Sequence, residues 1–321
     1  MWSAQVGPKT RVDLLPHETM KLKLQTQSTE TLRKCFSQIN SLRKFVVLRF
    51  SPDELLAVLA DESSVIQEPQ VWCKFPMYSI FSDVEVISQR DNVILLEINI
   101  ELFLQTLRNF DKANSRDFNI RLQRKEGAGR SRAAYLALSY SETTNSTINH
   151  TFRVPVKILK SNVLAKVPEL PHVDIMMKLP PEFAATFRRL EKFRNKMSQD
   201  RVTIRASREN GGSLQFLLEE VDNYKVAITW KAKLEIEQKQ PESDSLRAVQ
   251  ANAPVNERSP DEPVEVTVTL RDWRLAQKIV SNCKTIIFLM CQNNACVIHC
   301  LLDDAEEVEV MYYVSGIRSP D

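Results

Sequence analysis

One order of elements occurs twice along this chain of 321 residues: a strand, a helix, three or more strands, a further strand, a second helix, and three closing strands. An apolar strand that runs into a helix over 93–107 has its counterpart at 264–280. The basic-tipped strand at 151–160, closing the first half, has its counterpart at 308–318, closing the second. Repetition at domain scale restricts the fold to two equivalent units, and it outranks any local motif.

The helices of the repeat share a chemistry. The first, predicted over 28–44, puts Leu32, Phe36 and Ile39 on one side. The second, 100–112, puts Ile100, Phe103, Leu104 and Leu107 there. The third, 181–197, has Phe183, Phe187, Leu190, Phe193 and Met197, and the fourth, 272–280, has Trp273, Ala276 and Val280. At about 100° per residue the opposite faces carry Arg33, Lys34 and Lys44; Arg108 and Lys112; Arg188, Arg189, Lys192 and Lys196; Arg274 and Lys278. A solvated charged face is ordinary for one helix. Four at repeated places predict a single basic surface, lined by helices and backed by sheet. Such spacing suits sequence-independent phosphate contact, which is Coulombic and needs no base-reading side chain. The faces lack interleaved aromatics, which favours duplex over single-stranded partners.

The remaining segments read as strands of five to ten residues with alternating or β-branched character, broken by turns such as Asn210-Gly211-Gly212. The class is α+β. Pro168 and Pro171 interrupt the periodicity, so the units divide as 20–160 and 172–321 around a connecting loop at 161–171. Residues 1–19 read as an N-terminal extension. The stretch 238–263 holds almost no large apolar side chain, cannot offset its ordering entropy, and is expected to be a mobile insertion.

Net charge is only +2 and hydrophobic residues make up 43%, a soluble globular composition rather than a polycation. Basic residues gather on the helices and acidic ones around Asp303, Asp304, Glu306, Glu307 and Glu309. No apolar run approaches the roughly 18 residues of a membrane span. The first nineteen residues lack the apolar core of a secretory signal, so the six cysteines are expected to be reduced. Enzyme chemistry finds little support. Six glycines form no phosphate-binding loop, and the four histidines, at 17, 150, 172 and 299, are scattered. Cys291, Cys296, His299 and Cys300 lack the spacing of a zinc knuckle and read as strand interior; no metal and no cofactor is expected. The acidic cluster reads as a solvated turn.

Several stretches together resemble the DNA sliding-clamp (PCNA-like) family. They include the strand entering the last helix, Glu262 to Arg271, and the closing strand Met311-Tyr312-Tyr313-Val314. A narrower resemblance, to the Hus/Mec subunit of the heterotrimeric checkpoint clamp (the nine-one-one complex), rests on Met20-Lys21-Leu22-Lys23-Leu24, on the run Leu48 to Leu55, and on Val71-Trp72-Cys73. It rests further on Phe152-Arg153-Val154-Pro155-Val156-Lys157, Arg271-Asp272-Trp273 and Val297-Ile298-His299-Cys300. It covers about 20–318.

The resemblance implies two tandem clamp domains, antiparallel sheets on the outside and the four short basic helices on an inner, DNA-facing side. It implies a non-catalytic nuclear subunit that joins two other Rad-type clamp subunits around double-stranded DNA at damage sites. A dedicated clamp loader and a checkpoint kinase are the further partners it implies, with no membrane. By clamp topology the exposed sheet edges are 151–159 and 225–235, with Val154, Val156, Ile158, Val226, Ile228 and Trp230 as interface residues. Two alternatives remain: a homotrimeric processivity clamp, or a metal-dependent nucleic-acid-processing enzyme built on the acidic cluster near Asp303.

Overall fold

The computed structural model describes residues 20–59, 69–113, 115–126, 132–143, 147–160, 172–193, 200–220, 224–230, 235–236, 262–281, 283–302 and 307–317. The extension 1–19, the connecting loop 161–171, the insertion 238–263 up to residue 261, Lys196 and Met197, and Asp303 to Glu306 therefore lie outside the described residues.

The first half runs β1 (Lys21–Thr26), α1 (Glu30–Asn40), β2 (Phe45–Phe50), β3 (Glu54–Leu59), β4 (Gln70–Pro76), a short α2 (Met77–Ile80), β5 (Asp83–Ile87) and β6 (Ile94–Asn99). It ends with α3 (Ile100–Lys112), β7 (Phe118–Glu126), β8 (Arg132–Thr143) and β9 (Thr147–Ile158). The second half begins with β10 (Ile175–Leu179), a 3-10 turn at Pro181–Phe183 leading into α4 (Ala184–Glu191), β11 (Arg201–Ser207), β12 (Ser213–Glu220), β13 (Tyr224–Trp230) and β14 (Glu235–Ile236). It closes with β15 (Val264–Thr269), α5 (Leu270–Val280), β16 (Thr285–Cys291), β17 (Ala295–Leu301) and β18 (Glu309–Ser315).

The repeat is visible in local chemistry. Both β6 and β15 turn directly into a helix, and in each case the last strand residue caps it. Asn99 Oδ1 accepts from the Glu101 N–H at 3.0 Å, and Thr269 Oγ1 accepts from the Asp272 N–H at 3.1 Å. Each cap satisfies a donor that the first helical turn leaves orphaned. Strands β1 and β15 alternate buried and half-exposed residues, as a sheet with one face on a core must.

All sheet pairings are antiparallel. Fourteen strands form one sheet in the order β14-β10-β16-β17-β18-β4-β3-β2-β6-β9-β8-β7-β1-β5, and β13-β12-β11-β15 form a second. One apolar cluster joins the inner strand faces to the helices in both halves. Phe36 meets Phe75 and Phe103 in the first half, and Trp273 meets Phe187, Phe216 and Phe288 in the second. The helices pack in the order α3-α1-α5-α4.

The halves are joined along β4 and β18, whose ladder pairs Gln70 with Tyr313, Val71 with Tyr312, Trp72 with Met311, Cys73 with Val310 and Lys74 with Glu309. On the side away from the helices, Trp72 and Met311 join Leu56, Val58, Met176, Leu289 and Val297 in a second apolar cluster. On the helix side the buried Tyr312 hydroxyl donates to the Asp272 carbonyl at 2.7 Å. Burial pushes this phenol well above the usual tyrosine range, with the Asp272 carboxylate adding to the shift. Gln38 Nε2 donates to the Ile279 carbonyl at 3.0 Å, tying α1 to α5.

The structure departs from the sequence reading in several places. The first helix spans Glu30–Asn40 rather than 28–44, and the described helix of the third is Ala184–Glu191 behind its 3-10 turn. The fourth starts two residues earlier, at Leu270, because its cap is Thr269. The helix α2 was not anticipated; four residues carry no readable period. Of the strand expected over 225–235, the described parts are β13 and β14. Cys291, Cys296, His299 and Cys300 do not converge. Cys296 and Cys300 join the main core, whereas His299, between them in register, points to the opposite face and sits 3.2 Å from a Glu309 carboxylate oxygen.

Candidate nucleic-acid interface and strand edges

An amphipathic helix buries its apolar stripe and leaves the opposite face to solvent, and here four stripes share one core. The charged faces are therefore presented side by side along the helix row. Lys44 stands just beyond α1, Arg108 and Lys112 lie on α3, Arg188 and Arg189 lie on α4, and Lys192 follows it; all six are exposed.

The other predicted cations that lie within the described residues are engaged. Arg33 Nε lies 2.6 Å from Asp111 Oδ2, an ion pair that ties α1 to α3. Lys34 pairs with Glu30 one turn earlier at 2.7 Å, and its hydrogen bond and charge hold that carboxyl below the usual range. Lys278 Nζ donates to the Ser41 carbonyl at 2.8 Å, placing a cation at the negative end of α1. Arg274 is half-buried and also has contacts of its own. The surface is thus graded, with exposed cations on α3 and α4, the outer helices of the row, and paired ones on α1 and α5 between them.

Sequence reasoning missed Arg43 and Arg271. Both line a cleft of about 270 Å³ between the halves, along with Leu42, Leu275 and Tyr312. Arg271 Nε approaches the buried Asp272 carboxylate at 3.1 Å. Their signal was present as basic residues flanking the first and fourth helices, but only the fold brings them together.

The strand edges follow from the ladders. Strand β13 is the terminal strand of the smaller sheet and pairs only with β12 among the described residues. Val226, Ile228 and Trp230 on it pack partly against the core. Strand β9 pairs with β8 along Thr147–Val156, and with β6 only through Val156, Lys157 and Ile158. Val156 and Ile158, expected at an open edge, therefore have their backbones beside β6, and Val154 is 3% exposed, facing its own core. The open stretch is Asn149 to Arg153. Its donors can be assigned because the Leu159 N–H bonds the Leu95 carbonyl at 3.0 Å. Along a strand, alternate residues direct both polar groups to the same side. Odd-numbered residues of β9 therefore point away from β8, and Asn149, Thr151 and Arg153 hold the unpaired groups.

Three comparisons with known proteins agree with this architecture. The family model described as Hus1-like protein matches residues 20–318. Checkpoint protein hus1 of Schizosaccharomyces pombe is 26% identical over 302 residues, covering 92% of this chain and 99% of that protein. The DNA damage checkpoint control protein MEC3 of Eremothecium gossypii is 23% identical over 388 residues, covering 92% and 99%. Among solved structures, the proliferating cellular nuclear antigen of Entamoeba histolytica matches with a TM-score of 0.61 at 14% identity, over 92% of this chain and 99% of that one. The Thermococcus kodakaraensis protein gives 0.57 at 13%, over 92% and 100%. The fold is that of the PCNA-like clamps.

Proposed function

The chain belongs to the Hus1-like protein family, and from that footing we propose that it is a non-catalytic subunit of a heterotrimeric ring that encircles duplex DNA and serves the DNA-damage checkpoint in the nucleus. The names of its relatives, a checkpoint protein and a checkpoint control protein, support the pathway. A clamp loader that opens the ring and a checkpoint kinase recruited by it complete the proposal.

The observation that carries the ring is the seam inside the chain. Strand β18, which closes the second half, pairs with β4 of the first. Their counterparts, β9 closing the first half and β13 in the second, have no such partner among the described residues. A unit with one seam made and two complementary edges left over extends heterologously, and a suitable rotation closes it. The helix row then lies on one side of the sheets, and its exposed cations meet phosphates without reading bases.

The test is a double reversal, Arg188→Glu with Lys192→Glu, in the assembled complex. Both side chains are exposed, on the far side of the helix from the buried Phe187 and Leu190, so the subunit should fold and assemble. Each lost phosphate contact lowers the salt slope of duplex binding by about 0.9. Unchanged retention on circular duplex and an unchanged salt slope would remove the helix row from the DNA-facing side.

A further inference from the structure

Cysteines far apart in the sequence meet where the halves join. None of the six is in a disulfide. Cys73 of β4 and Cys300 of β17 stand on either side of Val310 of β18, each opposite it in its own ladder. All three belong to the main core, on the helix side of the sheet. From the helix layer, the Cys35 thiol of α1 lies against that of Cys73. The Cys300 thiol lies against that of Cys283, which follows α5.

The backbone holds the last two together. The Lys284 N–H bonds the Leu301 carbonyl at 3.0 Å, so the residues just after Cys283 and Cys300 are already joined. The Cys283 N–H bonds the Val280 carbonyl at 3.1 Å, and its Sγ donates to the Ile279 carbonyl at 3.0 Å. That carbonyl also accepts from Gln38 Nε2 of α1, at the tie between the halves.

Access separates the four thiols. Cys35, Cys73 and Cys300 are 0% exposed, whereas Cys283 is only half-buried. Burial pushes the Cys35 and Cys300 thiols well above the usual cysteine range, and neighbouring thiols add to the shift. A sulfur kept protonated and away from solvent does not begin exchange with a small molecule. Cys283 is within reach of one, and Cys300 is the sulfur beside it.

We propose that Cys283 and Cys300 are an oxidisable pair, with Cys283 the entry thiol, Cys300 the resolving one, and a small disulfide of the glutathione type as oxidant. Cys283 Sγ loses its proton and attacks one sulfur of the small disulfide. That S–S bond breaks, and one small thiolate leaves and is protonated. Cys300 Sγ then loses its proton and attacks Cys283 Sγ, expelling the second small thiolate, which is protonated in turn. Two protein thiols become one S–S bond, and one small disulfide becomes two thiols. The product fastens the end of α5 to β17. It also withdraws the Cys283 donor from the Ile279 carbonyl and leaves that acceptor to Gln38.

The test keeps the full chain native with glutathione disulfide at mildly alkaline pH. The product is thiol-blocked, digested without reduction and mapped by mass spectrometry. Over minutes to hours a Cys283–Cys300 cross-link should accumulate with the loss of two of the six thiols, and a reductant should restore both. Cys283→Ser should keep all its remaining thiols. Cys300→Ala should stop at the mixed disulfide on Cys283, and Cys35→Ala should close as wild type does. A wild-type chain that keeps every thiol, that stops at the mixed disulfide, or that spreads its cross-links over several pairs overturns the proposal. The wild-type map decides by itself, so a variant that fails to fold leaves the test standing.

Discussion

Replacing Trp72 with alanine tests the outer face of the internal seam. Trp72 is 2% exposed, in a cluster drawn from both halves that includes Leu56, Met176, Leu289 and Met311. A tryptophan of this kind withdraws roughly 200 Å² from water, worth about 5 kcal/mol at about 25 cal/mol per Å². Tryptophan-to-alanine changes in cores cost about 3–5 kcal/mol. Its indole N–H is buried with no acceptor among the described residues, so the native protein already carries a penalty of about 1–3 kcal/mol that the variant escapes. The net loss is then about 2–4 kcal/mol. For units of this size each kcal/mol moves the midpoint by about 2–4 °C, giving a fall of roughly 5–15 °C. Calorimetry is the suitable assay, because Trp72 is itself a fluorophore. Since the cluster bridges the halves, the transition should also broaden or divide as the halves uncouple. Adding Met311→Ala should cost less in this background than alone, because the two touch. A midpoint within about 2 °C of wild type would mean that the seam is held by its ladder and not by this cluster.

If β9 and β13 are the ring edges as proposed, proline at Thr151 or at Ala227 should leave each variant folded and cost one of the two junctions, and two intact ternary complexes on size exclusion would refute the edges. Tyr312→Phe deletes the hydroxyl bound to the Asp272 carbonyl and should cost about 1 kcal/mol in urea unfolding; a loss under about 0.3 kcal/mol would show that bond to be idle. Burial pushes the Cys291 thiol up to about 12, against about 8.5 in an unfolded chain. Between those values the native state binds the extra proton, so stability should fall as pH rises from about 9 to about 12. Cys291→Ala should make that decline shallower, and an identical pH slope would contradict the assignment.

Much of the fold was legible where its causes are local. Residues 100–112 form α3 with the predicted bounds, since Asn99 supplies a cap and the apolar positions recur at helical spacing. The first helix was drawn too long because Lys44 extends the polar face, and no nearby glycine or proline marks the stop at Asn40. The division of labour among the cations was not legible. Periodicity assigns Arg33 and Lys278 to polar faces, but their partners, Asp111 and the Ser41 carbonyl, are brought near only by tertiary packing. The same holds for β9: its sequence reads as one strand, and only the distant β6 shows that the last residues have a different partner from the middle ones.

Pro155 stands at that change of partner. The odd-numbered residues on either side, Arg153 and Lys157, direct their N–H groups the same way, Lys157 toward β6 and Arg153 toward the open side that the proposed ring would give to a neighbour. Proline has no N–H to give, so neither ladder can creep into the other. Loss of the neighbour, one donor after another, would stop at this residue like a tear reaching a hem. A ring of the proposed kind would open between subunits while each subunit keeps its own sheet stitched.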